Sequence, residues 1–249
     1  MNKLVKDAVV VLFGLAILSV DAATETADLI DRAKGGPSLL FTPAMLPGIR
    51  ERVASDPDAT AWWNSFRAKL DQTIDDEIKI PDRGYQWFHW YTCKKCGVRL
   101  KTEGAKRHVC SKCGAVYSGS PYDEVVLATV HEGLAKAVRD NGIAYGITGD
   151  RKYAGRAREI LLGYSAKYCE YPLHNKLGFI GPENPNAEKG GRVAEQVLGE
   201  CVWLIPIVQG FDAIADSLAE EDRRMIESRL LRPAIEVVRS HPMKIHNHE

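Results

Sequence analysis

The sequence has no charge imbalance: 33 lysines and arginines are matched by 33 aspartates and glutamates, so the formal net charge is zero. Such a chain projects no strong global field, which argues against DNA or an anionic membrane surface as its partner. A local cationic cluster remains free to hold an anionic ligand. Alternating apolar and polar residues are also scarce, so no segment outside a short cysteine-rich stretch reads as a run of strands. No exact internal repeat occurs. The apolar run Ala8 to Leu18 is too short to span a bilayer comfortably. What remains is ordinary globular composition, 45% hydrophobic and 27% charged in 249 residues, enough to bury a full core.

The first residues differ from the rest. Lys3 and Lys6 give a basic start, Ala8 to Leu18 an apolar core, and Val20-Asp21-Ala22 a small-residue cleavage signal. These are the parts a signal peptidase reads, so residues 1–22 are expected to be a signal peptide, with a retained anchor as the alternative. The mature protein is then secreted or periplasmic, with no stable membrane insertion after cleavage. Residues 23–37 are polar and end in Gly-Gly-Pro, a linker into a folded domain over 38–249.

That domain reads as helical. Thr42-Pro43 resembles an N-cap and first-turn proline, and Met45, Leu46, Ile49 and Val53 follow at helical steps. A second helix is expected from about Asp58 to Thr73, with Trp62, Phe66 and Leu70 on one face. Val126, Val130, Leu134 and Val138 form a stripe before Asn141-Gly142. Thr148-Gly149-Asp150 is a tight turn into another helix, which must pack antiparallel to its predecessor. Tyr171 to Gly191, rich in proline, glycine and asparagine, reads as a long loop of the kind that builds a binding cleft. Val193 to Leu218 reads as a long apolar helix that Pro206 should kink or divide. Ser217-Leu218-Ala219-Glu220 has the form of a capping box opening a last helix to about Arg239. The fold class is mainly α: antiparallel helix pairs, as in a complete or partial α/α toroid, with a small β insert.

The insert is the most specific signal. Cys93-Lys94-Lys95-Cys96-Gly97 and Cys110-Ser111-Lys112-Cys113-Gly114 are two copies of C-x-x-C-G, with thirteen residues between Cys96 and Cys110. Each pair can put two thiolates on one ion from a single turn. Two such knuckles make a closed tetrahedral site, structural rather than catalytic, which points to a zinc ribbon over 91–117. A pair of disulfides is the competing reading for an exported chain. Of the six cysteines, Cys169 and Cys201 are left over and are expected as buried free thiols, with a bridge between them as the alternative. His108 is expected at the surface. Tyr85, Trp87, Trp90 and Tyr91 could stack on sugar rings, or could pack the insert against the helices.

The chain ends in Ile245-His246-Asn247-His248-Glu249, four hydrogen-bonding side chains just past a helix end. By themselves they could be a solvated loop, or a metal site using His246, His248 and Glu249. The order of features along the chain resembles the N-terminal toroid of heparinase II/III-like and alginate-lyase-like polysaccharide lyases. The resemblance covers nearly everything from residue 38. It is carried by Leu39-Leu40-Phe41-Thr42-Pro43, by the ribbon followed by Tyr117-Ser118-Gly119-Ser120-Pro121-Tyr122, and by Ala144 to Ala154. Further on it includes Arg192 to Glu200 with Trp203, Phe211-Asp212-Ala213-Ile214, and Asn247-His248-Glu249.

The resemblance implies a carbon–oxygen lyase that cleaves an anionic, uronate-containing polysaccharide by β-elimination. It implies Asn247 as neutraliser of the uronate carboxylate and His248 as its helper or as the proton acceptor. Gln196, Arg192, His246 and Glu249 are the implied substrate-binding residues, and a catalytic tyrosine is expected beyond Glu249. On this expectation the chain is a fragment, inactive alone. Other readings stay open: an α/α toroid glycoside hydrolase using carboxylates such as Glu183, Glu195 or Glu200, or a non-catalytic carbohydrate-binding or scaffold protein. Export and zero net charge disfavour nucleic-acid binding through the ribbon.

Overall fold

A computed structural model describes residues 36–178 and 190–240. The fold is mainly helical with one small antiparallel sheet, as the sequence suggests. The expected signal peptide, the linker up to residue 35, Glu183, and the terminal His246-Asn247-His248-Glu249 motif lie outside the described residues.

Two short-linked helices come first, α1 (Leu46–Ser55) and α2 (Pro57–Thr73). Asp56 separates them, and its Oδ1 accepts the N–H groups of Asp58 at 3.0 Å and Ala59 at 3.1 Å while Pro57 takes the first turn. The buried aromatic of α2 is Trp63, packed with Ala144 and Tyr153; Trp62, expected inside, is 58% exposed and stacks on Phe66.

The helical centre is built from α4 (Leu127–Thr148), α5 (Arg151–Lys167) and α6 (Val197–Ile214), with the four-residue α3 (Tyr122–Val125) leading in. Helix α4 runs unbroken through Asn141-Gly142, where the sequence suggested a new segment. Of the predicted stripe, Val138 is buried and Leu134 packs on the core, but the buried face is turned from it at Val130. Val130 is exposed, and the face turned inward is His131, Ala135, Val138 and Gly142. Small residues are needed because α4 and α6 nearly touch. A Cβ on Gly210 would stand 2.4 Å from the Val138 carbonyl oxygen, and one on Gly142 would stand 2.9 Å from the Ala213 Cβ. The α4–α5 turn has the expected form, with Gly149 at φ 71° and its N–H donating to Tyr145 O. Arg50 caps the C-terminal end of α4 by donating to the Gly146 and Ile147 carbonyls.

Helix α6 contains Pro206 yet is a single element. The chain then continues through α7 (Glu220–Ile226), a π turn (Glu227–Leu231) and α8 (Arg232–Arg239). The capping box at the start of α7 does not form. Ala219 occupies the N-cap, and Ser217 Oγ instead donates back to Ile214 O at 2.7 Å. The main core joins these helices around Trp203, Tyr164, Tyr168, Ile160, Ile207 and Leu230.

The insert folds as three strands in the order β1 (Leu100–Gly104), β2 (Arg107–Cys110), β3 (Val116–Tyr117). Leu100 pairs with Cys110 and Thr102 with His108, which places the second cysteine knuckle beside the first.

Candidate functional site

The four insert cysteines converge. Their Sγ atoms all lie within 4.8 Å of one another, and Cys93 and Cys113 are 3.7 Å apart. A disulfide needs about 2.05 Å between sulfurs. Four thiolates about 2.3 Å from one tetrahedral ion would instead lie about 3.8 Å apart. The donor set therefore fits a closed metal centre and does not fit two bridges; all six cysteines are free thiols. Each knuckle closes in the same way, with Gly97 N donating to Cys93 O and Gly114 N to Cys110 O. Both glycines take positive φ, 66° and 71°. The Tyr117 hydroxyl lies 3.2 Å from Cys93 Sγ, and this contact is the main cause that brings the Cys93 pKa down to about 6. Outside this cluster, Cys169 is exposed and Cys201 half-buried, so neither is the buried thiol the sequence suggested.

A buried polar chain fastens the ribbon to the helices. His108, expected at the surface, is fully buried. Its Nδ1 lies 2.6 Å from the Tyr91 hydroxyl and its Nε2 3.0 Å from Asp123 Oδ1. Thr102 Oγ1 completes the chain at 2.5 Å from Tyr91 Oη. The arrangement is satisfied when Nε2–H donates to the carboxylate and Nδ1 accepts from the tyrosine. Asp123 Oδ1 also accepts Gly119 N at 3.0 Å, which holds the segment leaving the ribbon. Strand β2 belongs to the ribbon and Asp123 to α3, so one imidazole joins the two units.

A second buried hub lies where the long loop re-enters the helices. Glu200, on the inward face of α6, is fully buried. Its Oε2 accepts the N–H groups of Val193 at 3.0 Å and Ala194 at 2.8 Å, and its Oε1 accepts the Tyr168 hydroxyl at 2.7 Å. Burial raises its pKa against the pull of these hydrogen bonds. Tyr168 stacks flat on Trp203 at 5.7 Å. Arg192 turns toward the same loop, its Nη1 donating to Tyr171 O at 2.5 Å and Cys169 O at 3.3 Å. Here it braces the backbone. Gln196 is half-buried at the N-cap of α6, and its carbonyl accepts Glu200 N. Glu195 is buried with Oε2 unpartnered, and burial lifts its pKa to about 7.

Two buried histidines complete the region. His174 Nε2 donates to Tyr85 O at 2.8 Å. His131 lies between Tyr164 Oη, 2.9 Å from Nδ1, and Arg83 O, 3.0 Å from Nε2; burial pushes its pKa down to about 4, so it is a neutral bridge at ordinary pH. Sequence reasoning missed Glu200, His108, His131 and His174 as structural nodes. The signal for Glu200 was present: an acid three residues before Trp203 and seven before Ile207 sits on the inward face of an apolar helix. Of the two glutamates considered as hydrolase acids that the structure describes, Glu200 is committed to three donors and fully enclosed, and so presents no open carboxylate to pair with Glu195.

No family model matches the chain. Among curated proteins it is similar to an alginate lyase of Stenotrophomonas maltophilia, 40% identical over 121 residues, a stretch that is 47% of this chain and 15% of that protein. It is also similar to an exo-oligoalginate lyase of Saccharophagus degradans, 36% identical over 122 residues, 47% of this chain and 16% of that protein. The chain thus spans about a sixth of the length of these relatives. Identity at this level over about half the chain supports a relationship to polysaccharide lyases.

Proposed function

We propose that this chain is part of a secreted or periplasmic lyase that cleaves uronate-containing polysaccharide, alginate first among the candidates, by β-elimination. The observation that carries the reading is the 36–40% identity to two alginate lyases over about half the chain. The helix pairs would form part of an α/α toroid. The four cysteines would hold one zinc ion, whose role is to fold the ribbon and not to take part in the reaction.

The chemistry explains the residue types at the chain's end. The proton at C5 of a uronate is very weakly acidic while the adjacent carboxylate is charged. An amide that donates hydrogen bonds to that carboxylate, the role proposed for Asn247, lowers the cost of the enolate-like charge that develops. His248 would assist it or accept the C5 proton. As the C4–O bond breaks, the leaving oxygen takes a proton from an acid, a tyrosine beyond Glu249 on this reading. Gln196, His246 and Glu249 would line the sugar pocket. Arg192 would act by holding the loop in register through the Tyr171 and Cys169 carbonyls.

The test is to incubate the protein that carries this chain with alginate and with heparin-type polymers. The expected result is ultraviolet absorbance from a new C4–C5 double bond, lost in Asn247→Ala and His248→Ala with folding intact. New reducing ends without that absorbance would show a hydrolase. Unchanged activity in both variants would remove Asn247 and His248 from the site.

A further inference from the structure

A cleft of about 490 Å³ lies beside the ribbon. It is lined by Gln86 and Trp90, by Thr92 and Lys94 of the ribbon, by residues 120–122 where the chain leaves the ribbon, and by Lys176 to Gly178. The volume falls within the range of about 300–1,000 Å³ usual for small-ligand sites.

The side chains combine a partly exposed aromatic with two lysines. Trp90 is 40% exposed, and its indole N–H is used at the edge, donating to Lys176 O at 2.7 Å. That bond fixes the ring against the loop while part of it faces solvent. Trp87 packs edge-on against Trp90 at 5.6 Å and carries the Lys176 ammonium over its ring at 5.0 Å. Neither Lys94 nor Lys176 has a carboxylate within ion-pairing distance among the described residues. Lys176 also exerts a weak coulombic pull on the buried Glu195.

Gln86 is held in place: it is 7% exposed, with its amide donating to Asn175 O at 3.0 Å. The loop segment is a closed turn, with Leu177 N on Asn175 Oδ1 and Gly178 N on Asn175 O, both 2.9 Å. Two lysines and a partly exposed tryptophan lining one cleft suit a ligand that has a flat apolar face and carboxylates at its edge. An acidic pyranose has that form; a nucleic acid strand is disfavoured by the zero net charge of the chain.

We propose that this cleft is a saccharide subsite for uronate residues, with Trp90 stacking on a sugar ring and Lys94 and Lys176 holding its carboxylates. The subsite deepens, and rests on, the reading of the protein as a uronate polysaccharide lyase. It gives the ribbon a role beyond stability, since Lys94 sits in the first cysteine knuckle and is placed only when the metal centre is folded.

The test is a titration of the zinc-loaded chain with a saturated tetrauronate prepared from alginate, followed by tryptophan fluorescence and calorimetry. Cellotetraose is the neutral control. The tetrauronate should bind at least tenfold more tightly than cellotetraose, and more weakly as salt is raised. Lys94→Glu and Lys176→Glu should each weaken it by about tenfold, as loss of a charge-assisted contact predicts. Trp90→Ala should weaken it as well. Lys101→Glu, on the exposed strand β1 outside the cleft, makes the same charge change and should alter binding less than about twofold. Far-UV circular dichroism and zinc content show that each variant folds.

Absence of binding, equal binding of the neutral sugar, or loss in Trp90→Ala while both lysine variants match Lys101→Glu would each overturn the subsite. The lyase reading fails separately. If the binding pattern holds but no unsaturated product forms, the subsite stands and the lyase reading falls. If product forms and KM is unchanged in Lys94→Glu and Lys176→Glu, the subsite falls and the lyase reading stands.

Discussion

Replacing Glu195 by glutamine probes the buried acids under the loop most directly. Glu195 is 6% exposed, its Oε2 has no partner, and burial, with a smaller push from Glu200, raises its pKa from 4.5 to about 7. Between those values the folded chain keeps a proton that the unfolded chain has released. This contribution to stability is therefore complete below about pH 4.5 and lost as pH rises through 7. At ~1.4 kcal/mol per pH unit, the window is worth about 3 kcal/mol. Glutamine mimics the protonated acid and does not titrate. The measurement is urea unfolding at half-unit steps from pH 4.5 to 8.5, comparing the variant with the parent. Glu195→Gln should lie close to the parent at the acid end and exceed it by up to about 3 kcal/mol above pH 7. An offset from the new amide moves both ends equally and leaves the slope of the difference untouched. Other carboxylates that titrate in both proteins, such as the ion-paired Asp71, cancel in the same difference. A pH-independent difference would refute the argument, because it would mean that the folded and unfolded chains hold the Glu195 proton alike.

Glu200 separates hydrogen bonding from charge. Glu200→Gln keeps one oxygen for the Val193 and Ala194 amides but takes the acceptor from the Tyr168 hydroxyl, so it should cost about 1–3 kcal/mol, as for one stranded donor. Glu200→Leu strands three buried donors and should cost about 3–6 kcal/mol, read as a fall in the thermal midpoint. Metal removal tests the ribbon. The purified chain should hold one zinc, show no gain of thiols on reduction, and release the four cluster cysteines to a thiol reagent once a chelator takes the metal. The helical signal should mostly survive, because the helices carry their own core. No zinc, together with new thiols on reduction, would return the disulfide reading.

The helices, the cysteine cluster and the turn at Gly149 were legible because each rests on a local pattern: apolar periodicity, a repeat spacing, a positive φ. The N-caps read at Thr42 and Ser217 do not form, and Met45 and Ala219 hold those positions. The polar nodes were not legible, because each depends on what another segment brings to it. Nothing around His108 in sequence says that Tyr91 and Asp123 will meet its two nitrogens. Periodicity could not choose Trp63 over Trp62, since adjacent residues differ by only 100° around a helix and the packing of Tyr153 decides. The stripe of α4 was right at Leu134 and Val138 and wrong at Val130. His131, Ala135 and Gly142 share the inward face, Gly142 because α6 comes close at Gly210 and Ala213, and a search for bulky apolar residues passes over them. Ser217 was a capping box by pattern, but Ile214 O captured its hydroxyl first.

These nodes share a consequence. The cleft beside the ribbon has walls from distant parts of the chain, and each wall is tied down by buried polar contacts rather than apolar burial alone. His108 fixes the ribbon wall to α3, and Glu200 with Arg192 fixes the base of the loop. Apolar packing tolerates sliding, whereas a buried donor that loses its acceptor costs about 1–3 kcal/mol, so the polar nodes set the spacing of the walls. Lys94 and Lys176 are long, flexible side chains, and a ligand pays to order them. A fixed wall spacing confines that cost to the side chains. The cleft can then discriminate by the separation of charges on its ligand, which a flexible junction between ribbon and helices could not do.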